Sequence, residues 1–162
     1  MIKLLFEVSD VAGTDLVCRI LAEFLPDSAV VSLEGTLGVG KTRLVQGVAR
    51  YLGVEEGVVT SPTFVLLHEY EGTRSIYHFD VYRLANETEF RQLDPDDYFE
   101  RSGITFIEWG NKFPEILPKD RLEIRMEITG DSSRLLQITS SGDKFYKTIE
   151  ALSQLKPNSD KS

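Results

Sequence analysis

The sequence predicts an α/β fold, a single domain whose mixed parallel and antiparallel sheet is flanked by helices. The short apolar run Ala29–Leu33 is typical of a strand buried on both faces. A glycine-rich turn and an amphipathic helix follow that run, and later segments pair as hairpins. The chain of 162 residues is long enough for one ordinary domain. We expect the domain to span residues 1–155 and residues 156–162 to form a disordered tail.

The first half of the chain alternates between strand and helix. Ile2–Val8 predicts the first strand. Apolar residues at helical spacing then predict a helix that Pro26 ends, and Asp10 or Thr14 is suited to cap its start. After the strand Ala29–Leu33 and the glycine-rich turn, a second helix would direct one apolar face inward: Leu44, Val45, Val48, Ala49 and Leu52.

The second half predicts two hairpins, short helices and one more buried strand. Residues 64–70 and 75–81 are typical of strands joined by a turn at Glu71–Arg74. The acidic stretch Asn86–Glu100, which Pro95 interrupts, predicts short helical pieces. The remaining predicted elements are, in chain order, a buried strand Ile104–Ile107, a hairpin formed by residues 121–128 and 133–140, and a closing helix over residues 143–155.

Composition and charge narrow the function classes. The net charge of −8 argues against unaided binding of DNA or RNA, because such binding depends on Lys and Arg neutralising phosphates. No apolar run approaches the roughly 20 residues that a membrane-spanning helix needs, and the first residues do not resemble a signal peptide. The single cysteine, Cys18, cannot form an internal disulfide. These features predict a cytoplasmic protein.

One motif carries most of the functional information. Residues 35–42, Gly-Thr-Leu-Gly-Val-Gly-Lys-Thr, fit the P-loop pattern G-x-x-x-x-G-K-S/T at every required position. The glycines allow a loop whose backbone N–H groups surround phosphate oxygens, and the next helix adds its positive dipole end. Lys41 would reach the β- and γ-phosphates, and the Thr42 hydroxyl would bind Mg²⁺.

The motif predicts a P-loop NTPase fold and a run of nucleotide-binding residues. That run extends one position past the motif, to Arg43. Its members are Leu37, Gly38, Val39, Gly40, Lys41, Thr42 and Arg43.

A P-loop also needs an acidic residue that holds the magnesium ion, usually at the end of a neighbouring apolar strand. Two residues fit this description. Glu108 ends the run Ile104–Ile107, and Asp80 ends the run Ile76–Phe79. A carboxylate that leaves a buried strand is costly unless it pairs with a cation, which applies to both. The sequence pattern does not choose between them.

Missing motifs exclude several classes of P-loop protein. A GTPase would show D-x-x-G and N-K-x-D, whereas Val-Tyr-Arg follows Asp80 and Pro114 follows Asn111-Lys112-Phe113. No ABC-type signature is present, and the chain is too short for an AAA+ module with its lid. A small-molecule kinase, with Asp80 as general base toward an acceptor hydroxyl, stays open as an alternative.

Three more motifs follow the P-loop. They are Ser61-Pro62-Thr63-Phe64 with Glu69-Tyr70 after it, His78-Phe79-Asp80-Val81-Tyr82-Arg83-Leu84, and Ile107-Glu108-Trp109. In order and spacing, the four motifs resemble bacterial TsaE (formerly YjeE), the ATPase family of tRNA threonylcarbamoyladenosine biosynthesis. The resemblance covers roughly residues 5–128. Thr36 departs from the acidic residue typical of its place in that family's loop.

The resemblance implies roles for individual residues. Thr42 and Glu108 would hold Mg²⁺, and Asp80 would orient the attacking water or support the magnesium ligands, so Lys41, Asp80 and Glu108 are the expected catalytic residues. Ser61 and Thr63 would sense the γ-phosphate. Other residues are expected around the nucleotide: Trp109 beside it, and Asp10 and Thr14 at its adenine end. Arg134 is either a further contact at the same end or an ordinary surface arginine.

The same resemblance implies a Mg²⁺-dependent ATPase that acts with the proteins TsaD and TsaB. ATP binding and hydrolysis would reset their complex between turnovers, and tRNA would be contacted only through that complex. We expect slow hydrolysis by the isolated chain, because the motifs place no evident arginine finger, although Arg83 or a partner residue would serve. A binding module that changes shape with nucleotide but does not hydrolyse it is the second alternative.

Several other residues have structural explanations at this stage. His78 alternates with Asp80 on one strand face, so it would either hydrogen-bond Asp80 or pack in the core. His68 is expected to be structural or exposed, and Cys18 belongs to a core helix. The acidic stretch Glu87–Glu100 is either a solvated face or a docking surface for a basic partner.

Overall fold

The computed structural model describes residues 1–60, 62 and 65–155. Within these residues, seven strands form one sheet, and five α-helices and two short 3₁₀ turns surround it. The strands are β1 (Ile2–Val8), β2 (Ala29–Glu34), β3 (Leu67–Tyr70), β4 (Ile76–Asp80), β5 (Ile104–Glu108), β6 (Leu122–Ile128) and β7 (Arg134–Ser140). The helices are α1 (Val11–Phe24), α2 (Lys41–Tyr51), α3 (Glu87–Arg91), α4 (Pro95–Glu100) and α5 (Tyr146–Ser153).

The sheet is parallel at its centre and antiparallel at its margins. Its strand order is β1-β7-β6-β2-β5-β4-β3, in which the neighbours β4, β5, β2 and β6 run parallel. Strands β3, β7 and β1 pair antiparallel with their neighbours. The central strands are buried along almost their whole length, which explains their nearly continuous apolar sequences.

Helices α1, α2 and α5 cover one face of this sheet. Asp10 caps α1, because its side chain accepts a hydrogen bond of 3.0 Å from the Gly13 N–H. Helices α1 and α2 pack so closely that a Cβ atom at Gly47 would lie 2.6 Å from the Cys18 sulfur. The apolar side chains between these helices and the sheet form the larger of the two core clusters.

The other face is covered in part by a smaller apolar cluster. Phe90 of α3, Phe99 of α4 and residues from the segment 113–117 pack there against Tyr77 and Phe79 of β4. No helix among residues 1–60 and 65–155 is long and apolar enough to cross a membrane.

The structure confirms the predicted α/β fold and most of its elements, with differences at two element ends. Strand β3 begins at Leu67, and residues 65 and 66 are not part of it, because Leu66 adopts a positive φ of 74° and its N–H bonds to the Pro62 carbonyl. Residue 64, the predicted start of this strand, lies outside the described residues. The predicted closing helix is divided into a 3₁₀ turn over Asp143–Phe145 and then α5. The predicted tail, residues 156–162, lies outside the described residues.

Candidate nucleotide site

A cavity of about 710 Å³ opens at the carboxyl ends of the parallel strands. Ligands of open α/β sheets bind at this edge. The P-loop, the start of α1, the ends of β4 and β5, and the turn between β6 and β7 surround the cavity. All of the predicted site residues in the described chain line it: Asp10, Thr14, Leu37, Gly38, Val39, Gly40, Lys41, Thr42, Arg43, Asp80, Glu108, Trp109 and Arg134.

The conformation of the P-loop explains its glycines. Gly35, Gly38 and Gly40 have φ values of 141°, 77° and 120°, a region that L-residues with side chains rarely adopt. A Cβ atom at Gly35 would also lie 2.6 Å from the Met126 carbonyl oxygen. The loop therefore depends on glycine both for its backbone conformation and for its close approach to β6.

Lys41 begins α2 and directs its ammonium group into the loop. Its Nζ donates hydrogen bonds to the carbonyl oxygens of Gly35 (2.5 Å) and Thr36 (3.0 Å) and lies 4.2 Å from the centre of the Trp109 ring. Burial lowers the pKa of Lys41, and the nearby carboxylates of Glu108 and Asp80 oppose that effect. The loop thus holds a desolvated cation beside its inner surface, where phosphate oxygens would offer it stronger acceptors than neutral carbonyls.

Arg43 differs from Lys41 in its surroundings, although both lie in the first turn of α2. Arg43 is exposed at the wall of the cavity, whereas Lys41 is buried within the loop. A role for Arg43 in nucleotide binding therefore stays a prediction, while its place beside the cavity is as expected.

Thr42 and Glu108 are in direct contact. The Thr42 hydroxyl lies 2.9 Å from Glu108 Oε1 and 3.0 Å from Oε2, and donates to this carboxylate. Asp80 faces Glu108 across the paired strands β4 and β5, and its Oδ1 accepts a hydrogen bond of 2.9 Å from the Tyr82 N–H. Both carboxyl residues are only 4% exposed. The geometry therefore joins Glu108 to the P-loop threonine, a distinction that the sequence pattern could not make.

The donor atoms of this pair fit a magnesium ion. Thr42 and Glu108 offer a hydroxyl and a carboxylate oxygen, the hard ligands that Mg²⁺ prefers. No group of three or more His, Cys, Asp or Glu side chains that could hold a metal ion occurs in the described part of the chain. In the usual Mg²⁺ site of nucleotide enzymes, one or two protein ligands combine with substrate phosphates and water.

The expected hydrogen-bond partner of His78 is corrected by the structure. The side chain is fully buried, and its Nε2 atom lies 2.7 Å from Oε2 of Glu108, where the sequence suggested Asp80. Residues two apart on a strand share a face, so the sequence placed His78 and Asp80 together correctly. It did not show that β5 is the neighbouring strand, which brings Glu108 within reach of the imidazole.

Trp109 sits at the end of β5 in a strained backbone conformation. Its φ is 66°, in the left-handed region, a conformation that costs a bulky residue about 1–3 kcal/mol. Its N–H donates to the Leu33 carbonyl at 2.8 Å, and its ring packs against Tyr82 with centres 4.8 Å apart. These contacts hold the indole against the cavity beside Lys41, as the prediction of a residue next to the nucleotide requires.

The remaining predicted binding residues also line the cavity. Arg134 crosses from β7 to the P-loop, where its Nε donates to the Val39 carbonyl at 2.9 Å. The Asp10 side chain caps α1 by accepting a hydrogen bond from the Gly13 N–H, and Thr14 lies one turn further along that helix. Ser61 and Thr63, predicted to sense the γ-phosphate, lie outside the described residues.

Sequence reasoning missed part of the cavity wall. Gln46 lies one turn after Thr42 on α2, so helical spacing from the P-loop threonine could have identified it. Asp15 and Arg50 form an ion pair between α1 and α2, and Asp131 and Ser132 belong to the turn between β6 and β7. Only the packing of α1 on α2 and the pairing of distant strands bring these four residues to the cavity.

Two residues have the structural roles expected of them. Cys18 is buried between α1 and α2, and burial, assisted by the negative charge of Asp15, raises the pKa of its thiol to about 12. His68 is partly exposed, with its Nδ1 3.0 Å from the Tyr70 hydroxyl.

Comparison with known proteins adds independent findings. Residues 8–136 match the family described as threonylcarbamoyl adenosine biosynthesis protein TsaE. The tRNA threonylcarbamoyladenosine biosynthesis protein TsaE of Bacillus subtilis is 37% identical over 142 residues, which cover 87% of this chain and 88% of that protein. The protein of the same name from Synechocystis is 41% identical, covering 68% of this chain and 73% of its own. The crystal structure of YdiB from Bacillus subtilis superposes with a TM-score of 0.79 at 31% identity, over 94% of this chain and 95% of the other.

Proposed function

The chain belongs to the TsaE family of tRNA threonylcarbamoyladenosine biosynthesis, and from this membership we propose that it is a Mg²⁺-dependent P-loop ATPase. The observation that carries the proposal is the convergence of Lys41, Thr42 and Glu108 in one cavity. These three residues are the cation, the hydroxyl and the acid that P-loop enzymes use on a nucleoside triphosphate.

Binding would begin at the loop itself. Backbone N–H groups of residues 37–42 would donate to the β-phosphate region, and the N-terminus of α2 would add its positive dipole end. The Lys41 ammonium would leave the neutral carbonyls of Gly35 and Thr36 for the negatively charged phosphate oxygens. The adenine end would lie toward Thr14 and Arg134, which line the same cavity.

Thr42 and Glu108 are the residues that would hold Mg²⁺. The ion, when bound, neutralises charge that develops on the phosphate oxygens during transfer. Lys41 would stabilise the same charge from the side of the loop. Asp80, buried beside Glu108 and oriented by the Tyr82 N–H, would align a water molecule for attack on the γ-phosphorus, giving ADP and phosphate.

The partner assignment is part of the same proposal. The protein would act with TsaD and TsaB, and hydrolysis would reset their complex between turnovers. The net charge of −8 supports binding of the tRNA by a partner rather than by this chain, because an acidic surface repels phosphates. Hydrolysis by the isolated chain would be slow, because GTPases and related enzymes often receive their transition-state arginine from a partner.

Calorimetric titration with ATP in the presence of Mg²⁺ tests the nucleotide site directly. The wild type is expected to bind, and Lys41→Ala should weaken binding about 10- to 100-fold, because a charged hydrogen-bond donor to phosphate is lost. Lys147→Ala, which removes an exposed lysine of α5, is the matched control and should bind like the wild type. Equal affinity of the wild type and Lys41→Ala would contradict the proposed site.

A further inference from the structure

His78 is a buried imidazole that the proposed reaction does not use. It is fully buried, and its Nε2 lies 2.7 Å from Oε2 of Glu108. The Thr42 hydroxyl approaches the same carboxylate at 2.9 and 3.0 Å from its two oxygens. Glu108 is therefore fixed at one oxygen by His78 and across both oxygens by Thr42.

Strand pairing produces this contact. In the parallel pair of β4 and β5, Asp80 lies directly opposite Glu108, and His78 lies opposite Phe106. His78 and Glu108 are thus diagonal neighbours on the same face of the sheet, a separation that long side chains can span. The imidazole approaches the carboxylate from within the sheet, while Thr42 lies at the cavity.

The chemistry of the partners fixes the direction of the hydrogen bond. An ionised carboxylate only accepts, so Nε2 of His78 must carry the proton and donate it. Nδ1 has no hydrogen-bond partner within the described residues. The arrangement is therefore a donor that orients a carboxylate.

The imidazole is itself held in place by packing. The Tyr70 ring lies at a tilt to it, with centres 6.1 Å apart, and the Tyr70 hydroxyl donates to the Thr60 carbonyl at 3.2 Å. The imidazole thus packs against a residue of the neighbouring strand β3.

The geometry points to His78 as a positioning residue that orients Glu108 for Mg²⁺, an inference that rests on the proposed nucleotide function. Without the Nε2–H donor, the buried carboxylate would keep only Thr42 and could turn away from the position at which it would meet the ion. Partners that orient metal ligands typically contribute 10- to 100-fold to metal affinity. Loss of the donor should weaken Mg²⁺ binding by about 10-fold or more, with little change in ATP binding without the ion.

Three variants separate the donor from the bulk of the ring. His78→Gln keeps an N–H donor at a place similar to Nε2, whereas His78→Leu keeps volume and removes the donor. His68→Leu changes the only other histidine of the chain, whose imidazole contacts Tyr70 instead of Glu108, and serves as control. Mg²⁺ would be titrated into each protein with ATP bound, following the fluorescence of Trp109, the single tryptophan.

The inference predicts a half-saturating Mg²⁺ concentration at least about 10-fold higher for His78→Leu, near the wild-type value for His78→Gln, and unchanged for His68→Leu. ATP affinity in EDTA should be similar in all four proteins. Equal Mg²⁺ affinity of His78→Leu and the wild type would overturn the inference, as would equal losses in His78→Gln and His78→Leu. If the ATP affinity of the wild type did not depend on Mg²⁺, that result would instead overturn the proposed function itself.

If His78→Leu does not fold, as judged by circular dichroism, His78→Asn replaces it. Its side chain is also polar, but it is one carbon shorter than that of Gln, so its amide does not reach Glu108. Weaker Mg²⁺ binding by His78→Asn than by His78→Gln would support the inference. Equal affinities of these two variants would overturn it.

Discussion

Asp80 and Glu108 face each other across the paired strands β4 and β5, but hydrogen bonding joins only Glu108 to the P-loop threonine. Asp80 instead accepts from the Tyr82 N–H at 2.9 Å. Two buried carboxylates at the ends of adjacent parallel strands therefore stand in different positions relative to Thr42. We therefore expect Glu108 to bind Mg²⁺ and Asp80 to act in hydrolysis, so that the two roles can be separated by mutation.

The first prediction tests that separation with two isosteric variants. Glu108→Gln should lose most of the Mg²⁺ dependence of ATP binding, because the charged ligand is gone. Asp80→Asn should bind ATP and Mg²⁺ within about 3-fold of the wild type but hydrolyse ATP about 100-fold more slowly, since positioned acid–base groups contribute about 10²- to 10⁴-fold. Calorimetry measures the binding of ATP and Mg²⁺, and an ADP assay measures hydrolysis. If Asp80→Asn lost the Mg²⁺ dependence and Glu108→Gln lost only hydrolysis, the roles of the two carboxylates would be the reverse of those proposed.

Gly47 is predicted to be irreplaceable for packing reasons rather than for its backbone freedom. Alanine usually stabilises a helix interior relative to glycine, by up to about 1 kcal/mol. Here the added Cβ would lie 2.6 Å from the Cys18 sulfur, so Gly47→Ala should destabilise the protein by about 1–3 kcal/mol through overpacking. Urea unfolding measures the decrease in the free energy of unfolding. Adding Cys18→Ala to Gly47→Ala should restore part of that free energy, because the shorter side chain makes room for the new Cβ. A double variant whose decrease equals the sum of the two single decreases would contradict the explanation.

The Cys18 thiol should be unreactive in the native protein. Burial raises its pKa to about 12, so at pH 8 only about one molecule in ten thousand would hold a thiolate, the reactive form. Ellman's reagent should therefore react slowly in buffer and rapidly to one thiol per chain in 6 M guanidinium. Rapid reaction of the folded protein would show that α1 and α2 separate more readily than their packing indicates.

Asp27 should make stability fall on acidification. The Gly103 N–H, which donates to Asp27 Oδ1 at 2.8 Å, lowers the pKa of this carboxyl below its usual 3.8, and the Ser102 hydroxyl adds to the effect. A carboxyl with a lowered native pKa stabilises the fold above its unfolded pKa, and this contribution is lost as the pH falls through the native value. Urea midpoints measured from pH 6 to pH 2 should therefore fall more steeply for the wild type than for Asp27→Asn. Parallel curves would contradict this assignment.

The sequence predicted the local elements well because each has a local signal. The apolar run Ala29–Leu33, the P-loop glycines and the cap at Asp10 all act over a few residues, and the structure confirms each. The ends of β3 and of the closing helix were less predictable, because they depend on a positive φ at Leu66 and on a 3₁₀ turn.

The residues that line the cavity were predicted where a motif or the family resemblance names them. Lys41, Thr42 and Glu108 belong to recognisable motifs, and they line one cavity. Asp15 and Ser132 carry no such signal, because they reach the cavity only through helix packing and through the pairing of β6 with β2. The contact of His78 with Glu108 required knowledge of strand order, which no local pattern encodes.

We propose that this chain hydrolyses ATP at the P-loop as part of a complex. ADP production by the wild type and by Lys41→Ala, each alone and with purified TsaD and TsaB, tests this proposal. We expect slow hydrolysis by the wild type alone, acceleration by the two partners, and no acceleration in the variant. ADP production that does not change with the partners but rises with a small acceptor molecule would overturn the proposal and indicate a kinase.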